Sequence, residues 1–259
     1  MDDPMRNIRL TLQYDGTDYS GWQVQKEDPT VQGLLEKALF SVTGEHSRVQ
    51  GASRTDAGVH AFGQVAAFRT GSQLGPDVLL RALNSNLPQD IRIIDASEAD
   101  DDFHPRHRAK SKTYSYLISG PGAYSVFLKR YSWQMTCRLN CELMRTAAGY
   151  LIGEHDFSSF RASGCSSSHP VREVTSINIS EADSFGFIAF TMKAPVIKIT
   201  IEANAFLRHM ARNIAGTLVD IGRGNIPSDM MKDILDSKDR MAAGQTAPAR
   251  GLFLEKIVY

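Results

Sequence analysis

The sequence predicts an α+β protein: two ferredoxin-like α/β halves with mainly antiparallel sheets, joined around a central cleft. Two observations predict it. Segments that alternate apolar and polar residues recur between segments with helical spacing, and the first hundred residues run in the order βαββαβ, which is the ferredoxin-like unit. The chain of 259 residues is 42% hydrophobic and 22% charged, enough apolar matter for a large core and too much for disorder.

In the first half, Ile8, Leu10, Leu12 and Tyr14 alternate with polar residues, as in a half-buried strand. Thr30 caps a helix with Leu34, Leu35, Ala38, Leu39 and Val42 on one face, and Gly44 stops it. A short strand around Arg48 to Ala52 follows, then a strand from Gly63 to Phe68, a helix from Pro76 to about Asn84 and a strand from Ile91 to Ala96. In the second half, Thr113 to Ser119 reads as a strand, and Asn140 caps a helix reaching Ile152. Three β-rich runs cover Val174 to Ser180, Phe185 to Met192 and Val196 to Ala203. A long helix runs from about Phe206 to Ile221, a short one follows Ser228, and Leu252 to Val258 is the final strand. Ser158 to Pro170, rich in Ser and Gly, reads as a loop that could serve as a mobile lid. The expected division is residues 1–105 and 106–259.

Charge is polarised. Lys and Arg total 29, as do Asp and Glu, yet residues 1–100 carry a net −5 and the remainder +5. Taken globally, zero charge argues against a nucleic-acid partner; resolved along the chain it does not. Residues 103–141 contain no acid but hold Arg106, Arg108, Lys110, Lys112, Lys129, Arg130 and Arg138. Two readings stand for this stretch. One is a solvated basic face. The other is a groove that tracks phosphates, because cations at every second residue of an extended segment share one side, and Tyr114 and Tyr116 offer stacking rings. No apolar run approaches the roughly 20 residues of a membrane helix. The start, Met1 to Arg6, has no apolar core of a signal peptide, and three scattered cysteines fit reduced thiols, so a cytoplasmic protein is expected.

Asp56 is the candidate reactive group, in Gly51-Ala52-Ser53-Arg54-Thr55-Asp56-Ala57-Gly58-Val59-His60. An ordinary turn aspartate is one reading of it. The other is a nucleophile held ionised, since Arg54 lies two residues before it and a guanidinium favours the carboxylate form. A glycosidase pair needs a second carboxylate nearby, and neither Glu45 nor Asp77 supplies one locally. Cys165-x3-His169 with His155 upstream lacks a matching ligand pair for a metal. Arg208 and Arg212, four apart on the predicted long helix, share the face opposite Leu207, Met210, Ala211, Ile214 and Leu218.

These motifs resemble those of the tRNA pseudouridine synthase A family, in order and over nearly the whole chain. Tyr14-Asp15-Gly16 with Tyr19-x-Gly21-Trp22-Gln23-x-Gln25 is similar to its opening motif, and Thr30-Val31-Gln32-Gly33 to the start of its first helix. Arg54-Thr55-Asp56-Ala57-Gly58-Val59-His60 resembles its catalytic loop, and Phe103-His104-Pro105-Arg106 leads to Lys112-Thr113-Tyr114-Ser115-Tyr116. Gly153-Glu154-His155-Asp156-Phe157 matches, as does Phe206-Leu207-x-His209-Met210-x-Arg212-Asn213-Ile214. Ala247-Pro248-Ala249-Arg250-Gly251-Leu252 resembles the closing motif. Ser53 departs where glycine is common, and Lys112 where arginine is common.

The resemblance implies that specific uridines of the tRNA anticodon stem-loop are flipped out and isomerised to pseudouridine. It implies Asp56, Tyr114 and Arg212 as catalytic, with Tyr114 also stacking on uracil. Arg54, His60, Arg106, Arg108, Lys110 and Leu252 are then expected at the substrate. It further implies a homodimer, no membrane, no metal and no organic cofactor.

Overall fold

The computed structural model describes residues 5–123, 125–165, 169–187 and 190–259. The described chain is α+β and separates into two compact units, Met1–Lys110 with Phe253–Tyr259, and Ser111–Leu252. The expected division at residue 105 with everything after it in one half therefore needs correcting. Residues 253–259 pair within the first unit, a long-range pairing that no local pattern announces.

In unit 1, β1 (Arg6–Tyr14) is antiparallel to both β3 (His60–Thr70) and β4 (Ile91–Ala99). The far edge of β3 is shared. The two-residue β2 (Gln50–Gly51) pairs with Ala66 and Ala67, while β10 (Leu252–Val258) runs parallel to it at His60 and Ala61. Helix α1 (Val31–Thr43) begins at Thr30, whose hydroxyl accepts the Gly33 amide, and ends at Gly44 with φ 75°, both as the sequence indicates. Helix α2 (Pro76–Asn86) has Pro at its start and buries Leu79 and Leu83. Ile8, Leu10 and Leu12 of β1 are fully buried, as the alternation requires.

In unit 2, β5 (Ser111–Ser119), β9 (Phe190–Ala203), β8 (Val171–Phe187) and β7 (Gly153–Asp156) lie in that order, all antiparallel, with β6 (Trp133–Gln134) parallel to β5. Two long strands thus replace the three β-rich runs; part of the Phe185 to Met192 run, residues 188–189, lies outside the described residues. Helix α3 (Cys141–Gly149) is capped by Asn140, whose side chain accepts the Glu142 and Leu143 amides, and it ends before Ile152. Helix α4 (Met210–Gly222) is buried all round except at Arg212 and Asp220, and α5 (Met230–Ser237) follows.

The expected loop at Ser158 to Pro170 begins as a 3₁₀ turn, Ser158–Phe160. Ser159 and Phe160 are fully buried, and the Ser159 hydroxyl donates to the Ile234 carbonyl at 2.6 Å, so this part is pinned rather than lid-like. Ser166 to Ser168 lie outside the described residues. No helix among the described residues is long and apolar enough to cross a membrane.

Candidate functional site

The Asp56 loop joins β2 to β3 within unit 1. Its turn closes through the Val59 amide, which donates to the Asp56 carbonyl at 3.1 Å, with Gly58 at φ 76° in the position that demands positive φ. Neighbouring chain is pressed against it. A methyl at Gly16 would lie 2.0 Å from the Val59 oxygen, and one at Gly21, whose φ is 89°, would lie 2.6 Å from the Thr55 oxygen. Only glycine permits either approach. The Trp22 amide donates to the Thr55 carbonyl at 3.0 Å. Thr55 is buried, Asp56 half-buried and Arg54 exposed, with no polar partner for the Arg54 guanidinium among the described residues.

His60, expected at the substrate, is only 2% exposed and stacks on Phe253 at 4.7 Å. Its Nδ1 is 3.0 Å from Asp15 Oδ1 and 3.1 Å from the Gly16 amide nitrogen. Protonated, Nδ1 donates to Asp15; bare, it accepts from Gly16. Either way His60 ties the Asp15-Gly16 turn to the start of β3.

In unit 2, Tyr114 and Tyr116 share one face of β5. Tyr114 meets Phe206 edge-on at 4.8 Å and is 6% exposed. The Tyr116 hydroxyl donates to the Pro248 carbonyl at 2.8 Å, and burial raises its pKa although Arg212 and Arg250 pull the other way. Arg212 is bracketed by one residue: its Nε donates to the Ala247 carbonyl at 2.8 Å, while the Ala247 amide donates to the Arg212 carbonyl at 3.2 Å. Leu252, also expected at the substrate, is buried at 5% exposure.

Helix α4 starts at Met210, not near Phe206. His209 stands before it at φ 63°, a left-handed conformation that ends any helix running in from Phe206. Arg208 is therefore outside the helix, and the i,i+4 pairing with Arg212 does not exist.

The basic stretch needs a similar correction. Residues 104–108 form a turn in which the His107 and Arg108 amides donate to the His104 carbonyl at 3.1 and 3.0 Å, and β5 begins only at Ser111. Alternation along an extended segment thus fails for Arg106, Arg108 and Lys110, and Lys112 is buried at 6%. All three remain exposed, but Arg108 is paired with Asp102. His104 and His107 lie ring to ring at 4.2 Å, and burial followed by the neighbouring His107 lowers the His104 pKa. Beside them is a cleft of about 670 Å³ in unit 1, lined by Arg48, Arg69, His46, His104 and others, none of them from the Asp56 loop.

Two groups escaped sequence reasoning. Gln64 shares the inward row of β3 with Ala66 and Phe68, and Asn213 stands among the buried residues of α4; both are 0% exposed. A lone carboxamide in an apolar row signals a buried hydrogen-bonding task, and that was the available clue. The Asn213 side chain donates to Phe160 O at 2.8 Å and accepts from Arg240 and Thr246 at 3.2 and 2.7 Å. Cys137, Cys141 and Cys165 are free thiols, with burial foremost in raising Cys141 to about 12. Among the described residues no three His, Cys, Asp or Glu side chains gather as a metal site.

The family model for tRNA pseudouridine synthase matches residues 11–107 and 147–259. Similar proteins named tRNA pseudouridine synthase A occur in Thermoanaerobacter sp. (strain X514), at 47% identity over 98% of this chain and 100% of that one, and in Acetivibrio thermocellus, at 43% over the same shares. A relative of that name in Myxococcus xanthus is 42% identical over 98% of this chain and 92% of its own. The class these matches define is that of the isomerases. The chain belongs to the tRNA pseudouridine synthase family.

Proposed function

We propose that this protein isomerises uridines at the base of the tRNA anticodon stem to pseudouridine, acting as a cytoplasmic homodimer with Asp56 as nucleophile or base. Family membership supports the reaction, and the Asp56 loop is the observation that carries the residue assignment. The Thr55 side chain is held inward by the Tyr14 hydroxyl, while Arg54 is exposed and Asp56 half-buried on either side of it, so the loop carries a cation and a carboxylate two residues apart, neither of them fully buried.

In this reading the target uridine leaves the stack, at a cost of about a few kcal/mol. Asp56 allows the bond between the ribose and uracil N1 to break. The ring turns, a bond forms to carbon 5, the proton on carbon 5 is released and N1 gains one, so the change is an isomerisation. Tyr114 supplies the ring that stacks on uracil, Arg212 a cation oriented by Ala247, and Arg54 a cation for phosphate or for the space the base leaves. Arg106, Arg108 and Lys110, all exposed, take phosphates. The strand order β4-β1-β3-β2, with β1 antiparallel to both neighbours, supports a ferredoxin-like reading of unit 1, and β5-β9-β8 with α3 and α4 a second such half.

Transcribed tRNA carrying tritium at uracil carbon 5 tests the assignment. The protein releases label, and Asp56→Ala slows release by on the order of 10³-fold or more. Tyr114→Phe keeps the stacking ring and costs under about tenfold. Full release by Asp56→Ala, or none by the unaltered protein on several tRNAs, overturns the reading.

A further inference from the structure

The pairing of β2 with β3 does not stop where the backbones part. Gly51 pairs with Ala66, and the Ala52 amide donates to the Val65 carbonyl at 2.8 Å. One step further on, Ser53 finds a side chain where a strand would offer a peptide group. The Ser53 amide donates to Gln64 Oε1 at 3.2 Å, and Gln64 Nε2 donates to the Ser53 carbonyl at 2.7 Å. A carboxamide carries the same donor and acceptor as a peptide, so it extends the ladder by one rung. The second Nε2 hydrogen reaches the Tyr14 hydroxyl at 3.4 Å, which lies 2.8 Å from Thr55 Oγ1.

Gln64 is 0% exposed, Tyr14 4% and Thr55 6%. Opposite Gln64 in the sheet is Leu12, an apolar setting in which an unpaired amide is costly. Were this merely a core position, an apolar residue of similar volume would serve better. Everything the carboxamide bonds to lies on the run before Asp56 or on the tyrosine that holds it.

We propose that Gln64 is a positioning residue for the reaction: through Ser53 directly, and through Tyr14 and Thr55, it sets the orientation of the Asp56 carboxylate. This rests on the reading of Asp56 as the reactive group. Gln64 touches no substrate; it acts on the loop.

The tritium-release assay separates this from a structural role. Gln64→Leu lowers kcat by about 100-fold, the scale of a 1 Å misplacement, while KM for tRNA stays within about threefold and thermal unfolding remains cooperative. Gln64→Glu keeps shape and acceptor but, ionised, aims a second oxygen at the Ser53 carbonyl. Protonated, it regains a donor, so its kcat relative to the unaltered protein rises as pH falls. Tyr14→Phe, losing one hydroxyl, lowers kcat by roughly tenfold with KM held. A Gln64→Leu kcat within threefold of normal, or a loss confined to KM, overturns the proposal. If Gln64→Leu fails to fold, Gln64→Glu decides, and a pH profile parallel to the unaltered protein's overturns it. Inactive Asp56→Ala beside active Gln64→Leu sinks this inference alone; active Asp56→Ala sinks both it and the catalytic reading.

Discussion

The Asp56 loop and the start of α4 both hold a charged side chain at partial exposure, and they do so by opposite means. Asp56 is reached by fixing its own backbone: Gly16 and Gly21 let chain press on the loop, and Gln64 continues the ladder beneath Ser53. Arg212 already has a rigid backbone, being in a helix, and what is fixed is a loop beside it. That loop is held by Asn213 and by Arg240, whose guanidinium donates to the Gly244 carbonyl at 2.9 Å, and it brings the Ala247 carbonyl to the guanidinium. One device aims a carboxylate through its neighbours in sequence. The other aims a cation through a segment some 35 residues on.

Glycine substitutions test the contrast most severely. A methyl at Gly216 would lie 1.7 Å from the Gln245 oxygen, and one at Gly16 2.0 Å from the Val59 oxygen, both backbone atoms that cannot step aside cheaply. Each of Gly216→Ala and Gly16→Ala is expected to cost about 3 kcal/mol in urea unfolding. Gly16→Ala also removes catalysis in the folded fraction, whereas Gly216→Ala leaves Asp56 in place and weakens chiefly what Arg212 does. Equal kinetic signatures would erase the distinction between the two devices.

A smaller effect concerns cations outside both devices. Arg106→Glu is expected to flatten the salt dependence of tRNA binding by roughly one to two units of log–log slope. Arg108→Glu does so less at low salt, because Arg108 is already engaged by Asp102. Binding titrations at several salt concentrations decide it, and an unchanged slope in both places the RNA path elsewhere.

The smallest effect lies at the end of β7. Burial pushes the Asp156 carboxyl up, but hydrogen bonds from the Ser158 hydroxyl and amide, with Lys238, outweigh it and lower the pKa. A depressed folded pKa stabilises above the ordinary carboxylate range, and that contribution is lost as pH falls through the folded value. Asp156→Asn is expected to cost under about 1 kcal/mol at neutral pH, a gap that closes in urea unfolding on acidification. A gap that widens would refute the assignment.

What could be read in advance was what local chemistry dictates. Thr30 and Gly44 bound α1 because a cap and a left-handed glycine act within one turn. Asp56 stood out because its loop packs unusual residues together, and the same density carries the family likeness. Failures came where distant contacts override local pattern. His209 looks helical by spacing yet adopts φ 63°. Arg106 and Arg108 alternate as a strand would, yet the chain turns at His104. Gln64 is an ordinary strand residue until its partner 11 positions earlier is known.

The segment 253–259 has a consequence for synthesis. It completes β10 beside His60 and Ala61, the Lys110 amide donates to its Val258 carbonyl at 2.8 Å, and Tyr259 lies under the Arg9 guanidinium and bonds to the Pro105 carbonyl at 2.9 Å. Unit 1 is therefore translated first and finished last. While the ribosome is still making residues 111–252, an open strand edge at His60 waits for its partner, and the Asp56 loop waits beside it. Folding order in this chain runs against reading order: the early half can close only after the late half has been made.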